Sequence, residues 1–343
     1  MGSMQLPNFN LPLSNMIPVS AGGEIASICY INWHHYVNLA MQHSTFSSTQ
    51  HYIWKDYRCA YEVNETPESD GTPILLIHPI GVGLSRRFWD RFIRTWRARG
   101  YSNPIYNPDL LGCGESDMPR VAYTPEDWAE QLSCFLQTVI QRPAIAIVQG
   151  ALFPTAIALS QLESSRELIS SLVLSGPPAW PVMTYESPSW QQRLLWNGFD
   201  SPLGSAFYRY ARRRQFLQSF SIRQLFGTPD QVDEEWLEML KIGAENSESR
   251  HAVFAFLAGF WRKNYQLAIS KISQPTLVLV GETASSISKE GKQETPDARL
   301  QDYLACLPQG RGRKMLGRNV LPYESPDLFV SATAEVLQEW GLL

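Results

Sequence analysis

The sequence predicts an α/β protein: a mostly parallel, doubly wound sheet carrying a helical insertion. Three observations predict it. Short, continuous apolar runs end in loops at 73–78, 144–148, 172–174 and 276–280, the pattern of strands buried on both faces of a parallel sheet. Helical stretches lie between these runs, so strand and helix alternate. Residues 180–265 break that rhythm. Rich in Trp, Phe, Tyr and Arg, with helical periodicity and no buried-strand run, they read as an insertion after a central strand.

The expected organisation is an extension at 4–50, a first part of the α/β core at 51–179, a helical cap at 180–265 and the last part of the core at 266–343. The opening Met1-Gly2-Ser3 reads as a cloning remnant ahead of a native Met4 and is left out of the fold reasoning. Residues 51–63 partly alternate and are aromatic-rich, as an early strand or hairpin would be, and Glu68-Ser69-Asp70-Gly71 marks a turn. Thr124 followed by Pro125 gives an N-cap and a first-turn proline for a helix over 125–141.

Composition bounds the function. Of 343 residues, 44% are apolar and 18% charged, which fits a globular chain rather than a disordered one. A net charge of −4 gives no field for nucleic acid. Five cysteines, Cys29, Cys59, Cys113, Cys134 and Cys306, show no paired spacing, so a reducing cytoplasm is expected. No apolar run approaches the roughly 18 residues of a membrane span, and no signal peptide is read at the N-terminus. No cofactor or metal is expected: His34 and His35 are adjacent, no Cys/His cluster has ligand spacing, and Gly81-Val82-Gly83 is an incomplete nucleotide loop.

Three segments carry a resemblance. Ile77-His78-Pro79-Ile80-Gly81-Val82-Gly83 follows a buried strand. Asp109-Leu110-Leu111-Gly112-Cys113-Gly114-Glu115-Ser116 matches D-x-x-G-x-G-x-S. Gly317-Arg318-Asn319-Val320-Leu321-Pro322-Tyr323-Glu324-Ser325-Pro326 has the shape of a terminal G-x-G-H-x-P-x-x-E-x-P loop. In this order and spacing they resemble the α/β-hydrolase superfamily with a helical cap. The resemblance implies a nucleophile on the turn after the strand at 144–148, an acid after the strand at 276–280, a histidine in the terminal loop and an oxyanion amide near His78.

Position by position, this sequence departs from that pattern. Ala151 is expected where the nucleophile should be, with Gln149 and Phe153 replacing the flanking glycines. A methyl group has no lone pair with which to attack a carbonyl. Ala284 takes the place of the acid, with Glu282 or Asp297 the nearest alternatives. The base position falls on Val320 or, shifted by one, on Asn319, and no histidine follows His251. One missing group could be an engineered substrate trap; three cannot.

The expected function is therefore a hydrolase-like protein without ester hydrolysis, binding a small, mostly apolar molecule between core and cap. Expected contacts are His78, Pro79, Ile80, Gly81, Gln149, Ala151, Leu152, Phe153, Asn319 and Val320. Alternatives are an unconventional enzyme, lyase- or oxygenase-like, using His78 as acid or base, a hydrolase with a relocated base such as His251, His34 or His35, and a scaffold whose pocket is closed by Gln149 and Phe153. Asp109, Gly112, Gly114 and Ser116 read as a tight turn, the basic run at 209–216 as a solvated helix face, and the aromatic stripe of the insertion as a packing device.

Overall fold

The computed structural model describes residues 48–66, 69 and 71–343. The extension up to residue 47, with His34, His35, His43 and Cys29, and residues 68 and 70 of the turn at 68–71 lie outside the described residues. Eight strands form one sheet: β1 (Gln50–Trp54), β2 (Tyr57–Asn64), β3 (Ile74–Ile77), β4 (Ile105–Pro108), β5 (Ala144–Gln149), β6 (Ile169–Ser175), β7 (Thr276–Gly281) and β8 (Gly310–Met315). Their order is β1-β2-β4-β3-β5-β6-β7-β8. β1 and β2 pair antiparallel, as do β2 and β4, and every other neighbouring pair is parallel.

The early aromatic segment is a hairpin. Lys55 and Asp56 at its tip have φ of +47° and +66°, the left-handed pair that a two-residue turn needs to match strand twist. The apolar runs become β3, β5, β6 and β7, each buried along nearly its whole length. The two remaining strands have no such run. β4 is four residues containing Asn107 and Pro108, and β8 is an exposed, Arg- and Lys-bearing edge, the composition that discourages pairing with a further chain.

Helices cover both faces: α1 (Asp90–Ala98), α2 (Pro125–Phe135), α3 (Phe153–Gln161), α9 (Pro296–Cys306) and α10 (Pro326–Glu339). Thr124 caps α2 reciprocally with Asp127, and Pro125 opens the helix. The helix runs on through a π-turn at Leu136–Ile140 and stops at Gln141 with φ of +58°. Between β6 and β7 the described chain has no strand. It holds α4 (Ser189–Phe199), α5 (Pro202–Ala211), α6 (Arg214–Phe220), α7 (Glu234–Gly243) and α8 (Arg250–Ala258), the inserted helical cap. Trp236, Tyr208 and Phe254 are buried there; Trp236 packs on Phe88 and Tyr323 of the core, and Val82 packs against the Tyr208–Phe254 cluster, so much of the aromatic stripe seats the cap on the core. Trp190, Phe207 and Tyr210 stay exposed.

Candidate functional site

The loops at the carboxyl ends of the parallel strands hold two neighbouring constructions. The first joins the β3 loop to the turn after β4. His78 is fully buried. Its Nε2 accepts the backbone N–H of Leu110 at 3.1 Å, so the proton sits on Nδ1, which donates to the Pro79 carbonyl at 2.8 Å. Burial holds the imidazole below its ordinary pKa, and this neutral tautomer is the one both contacts require.

Asp109 is buried beside it. Its carboxylate accepts the backbone N–H groups of Arg86 and Glu115, each at 2.8 Å, and pairs with the buried Arg86 guanidinium. Arg86 also reaches Glu62 at 2.9 Å and Glu115 at 2.7 Å. Burial opposes the Arg86 charge, but the carboxylates outweigh it and its pKa lies above the ordinary value. Ser116 accepts from the Ala60 N–H and donates to the Asp109 carbonyl, both at 2.9 Å. Gly114, at φ +56°, has no room for a side chain: an added Cβ would lie 2.1 Å from the Asp109 carboxylate. The D-x-x-G-x-G-x-S segment is thus a closed bracket whose polar groups serve one another.

The second construction is the strand-to-helix turn after β5. A nucleophile elbow is strained because its central residue is forced into a sharp turn. Here the residue with left-handed backbone is Gly150, at φ +61°, and Ala151 is not among the positive-φ residues. The position expected at Ala151 therefore belongs to Gly150, one residue earlier, where glycine takes the conformation without steric cost. A Cβ added there would meet nothing nearer than the Gly176 carbonyl oxygen at 4.0 Å. It would project into open space.

Amides occupy the surroundings of that space. Ser175 donates to Gln149 Oε1 at 2.7 Å, and Gln149 Nε2 donates to the Asn319 carbonyl at 2.7 Å. Asn319 Nδ2 in turn donates to the carbonyls of Gln224 at 2.7 Å and Ser285 at 3.0 Å. The terminal loop then grips the cap on consecutive residues. The Asn319 N–H donates to Leu225, Arg318 Nη1 donates to the Phe226 carbonyl, and the Gly227 N–H donates to Glu324.

Between these strand ends and the cap lies a cavity of about 480 Å³, within the range of small-molecule sites. Pro79, Ile80, Ala151, Val182, Leu225, Phe256, Trp261 and Val320 give it an apolar wall; Gln149, Asn319, Arg262, Arg299 and the loop at 285–290 give it a polar one.

The comparisons with known proteins agree with this fold. The family model described as "Alpha/beta hydrolase family" matches residues 74–332. The chain belongs to the alpha/beta hydrolase family. No curated protein sequence matches it. Among solved structures, a His-tagged serine hydrolase involved in carbazole degradation (CarC enzyme) is 20% identical with a TM-score of 0.64, covering 85% of this chain and 99% of its own. Cfl2 from Burkholderia cenocepacia is 15% identical with a TM-score of 0.67, covering 84% and 95%. A thermophilic esterase from Thermogutta terrifontis is 19% identical with a TM-score of 0.63, covering 85% and 99%. At these identities the likeness concerns the fold.

Within this hydrolase fold, six of the ten expected contact positions line the cavity: Pro79, Ile80, Gln149, Ala151, Asn319 and Val320. The other four do not. His78 is sealed in the bracket, and Gly81 lies against Leu84. Leu152 and Phe153 belong to the core beneath the sheet's end, where Phe153 meets Tyr303. Phe153 therefore does not fill the pocket floor, because the turn aims it at the core side of α3. Ala284 is buried beside the cavity without lining it.

Other groups singled out in the sequence lie elsewhere. His251 is buried in the cap, 3.2 Å from Glu248, and does not line the cavity. Glu282 is exposed, and Asp297 pairs with Lys314 at 2.6 Å. In the basic run, Arg214 pairs with Glu234 and Arg212 donates to the Ala244 and Glu245 carbonyls. Among the described residues no group of His, Cys, Asp and Glu is placed to hold a metal, and no helix is long and apolar enough to cross a membrane. Sequence reasoning missed the loop at 285–290 and Arg299. Neither sits in a motif, and only the folded chain brings them to the cavity.

Proposed function

We propose that this chain binds a small, mostly apolar molecule between the carboxyl ends of its central strands and the helical cap at 180–265, without ester hydrolysis. One observation supports the reading: an open cavity of about 480 Å³ lies at the carboxyl ends of the strands, and the residues at the positions that the family resemblance gives to elbow, acid and base are Gly150, Ala284 and Val320. None of these side chains can attack a carbonyl or carry a proton. The family's fold supplies the site, and the site decides the function.

Two features favour binding over the alternatives. His78 has both ring nitrogens engaged and does not line the cavity, which counts against an acid or base role. The cavity is open above Ala151, which counts against a scaffold with a closed pocket. The four described cysteines are free, in keeping with action in a reducing cytoplasm.

The experiment is thermal unfolding in the presence of a panel of lipids, terpenoids and pigments. A ligand at a hundred times its Kd stabilises by about 2.7 kcal/mol, a rise of several degrees for a chain of this size. A panel that produces no rise would remove the proposal.

A further inference from the structure

The cavity contains one group that apolar packing does not explain. Arg299, on α9, is 2% exposed and is one of the lining residues. Its Nε donates to Glu294 Oε2 at 2.6 Å and its Nη1 to the Pro177 carbonyl at 3.3 Å. Its Nη2 is buried and has no hydrogen-bond partner. A buried guanidinium donor left unmade is costly, and buried polar groups are paired almost everywhere in folded proteins. An orphan of this kind on a residue that lines a cavity is paired when an acceptor enters and the side chain turns to meet it.

The surrounding charge narrows the acceptor. The lining carries Arg262, Lys289 and Arg299 against one carboxylate, Glu290, which stands 3.4 Å from Arg262. Glu294 neutralises Arg299 from behind. Lys289 has no ion pair among the described residues, so one positive charge at the cavity is unmatched.

We infer that the bound molecule is an amphiphile whose carboxylate accepts from Arg299 Nη2, with Lys289 at the exposed rim balancing its charge and the apolar wall of Ile80, Leu225, Phe256 and Trp261 holding its hydrocarbon. The inference rests on the proposed binding function and specifies the ligand class.

The test measures binding of straight-chain acids from octanoic to hexadecanoic, each beside its methyl ester, to the unaltered full chain at pH 8 by calorimetry. The acid of the best chain length is expected to bind at least about tenfold tighter than its ester, the size of one charge-assisted hydrogen bond. Acid and ester binding equally would overturn the carboxylate and leave the binding function standing. If neither series binds, the inference fails, and an empty lipid, terpenoid and pigment panel would then remove the binding function as well.

Arg299→Met, made together with Glu294→Gln so that no carboxylate is left unpaired, should erase the acid's preference while ester affinity holds. Because Arg299 also braces the loop at 177–180, Lys289→Gln gives a second readout on an exposed residue. It should narrow the acid-to-ester ratio several-fold without changing thermal unfolding. A ratio unchanged by either substitution would overturn the assignment of these residues.

Discussion

Two constructions stand side by side at the same end of the sheet, and they differ in what holds their residues in place. In the bracket of His78, Asp109, Arg86 and Ser116, each side chain bonds to backbone or to another member. At the turn after β5 and in the loops after β7 and β8, the positions that the family resemblance would give to elbow, acid and base hold Gly150, Ala284 and Val320, yet the backbone shape persists: Gly150 holds a left-handed conformation and a Cβ added there would meet nothing nearer than 4.0 Å. The difference shows that motif residues which satisfy one another are fixed by folding, whereas residues placed only for chemistry can be exchanged while the scaffold stands.

The bracket should be the more sensitive of the two. Asp109→Ala would orphan two backbone amides and strip the buried Arg86 of its innermost partner. Breaking a buried pair in this way costs about 3–5 kcal/mol, readable in urea unfolding. A loss below about 1 kcal/mol would dissolve the distinction between the regions.

Gly150→Ser tests the opposite side. An added Cβ meets no clash, so the expected cost is the left-handed strain of about 1–2 kcal/mol. No esterase activity should appear on short acyl esters, because neither Val320 nor Ala284 can activate the hydroxyl. Turnover of such an ester would reveal a base serving this cavity and erase the contrast.

The smallest effect is the pH dependence of His78. Its folded pKa lies below the ordinary value, so at pH above about 6.5 both folded and unfolded states are neutral there and nothing is lost. As pH falls below 6.5 the unfolded imidazole takes its proton first, and stability declines by at most about 1.4 kcal/mol per pH unit until the folded ring also titrates. Denaturant titrations from pH 7.5 to 5 should show this slope in the unaltered chain and a shallower one in His78→Gln. Equal slopes would mean that His78 is as easily charged as a solvent-exposed histidine.

The sequence made the buried strands legible because a parallel strand covered on both faces must be apolar throughout, as β3, β5 and β7 are. It hid β8, whose Gly310-Arg311-Gly312-Arg313-Lys314-Met315 carries an edge strand's polarity, and β4, where Asn107 donates to the Arg86 carbonyl instead of packing. At the elbow, a motif template counts positions, while the chain obeys φ. The signal was present in Gly150, since a left-handed residue at a strand end is most cheaply a glycine. The orientation of Leu152 and Phe153 toward the core, and the arrival of Arg299 at the cavity from α9, depend on how α3 and α9 pack. No local pattern records that.

The terminal loop's hold on residues 224–227 has a consequence for traffic. A wall riveted to the core through four successive residues does not swing like a hinged lid without tearing all four fastenings together. If the cavity binds a small molecule as proposed, its way in runs past the exposed side chains of Ile287, Lys289 and Glu290 rather than through that wall.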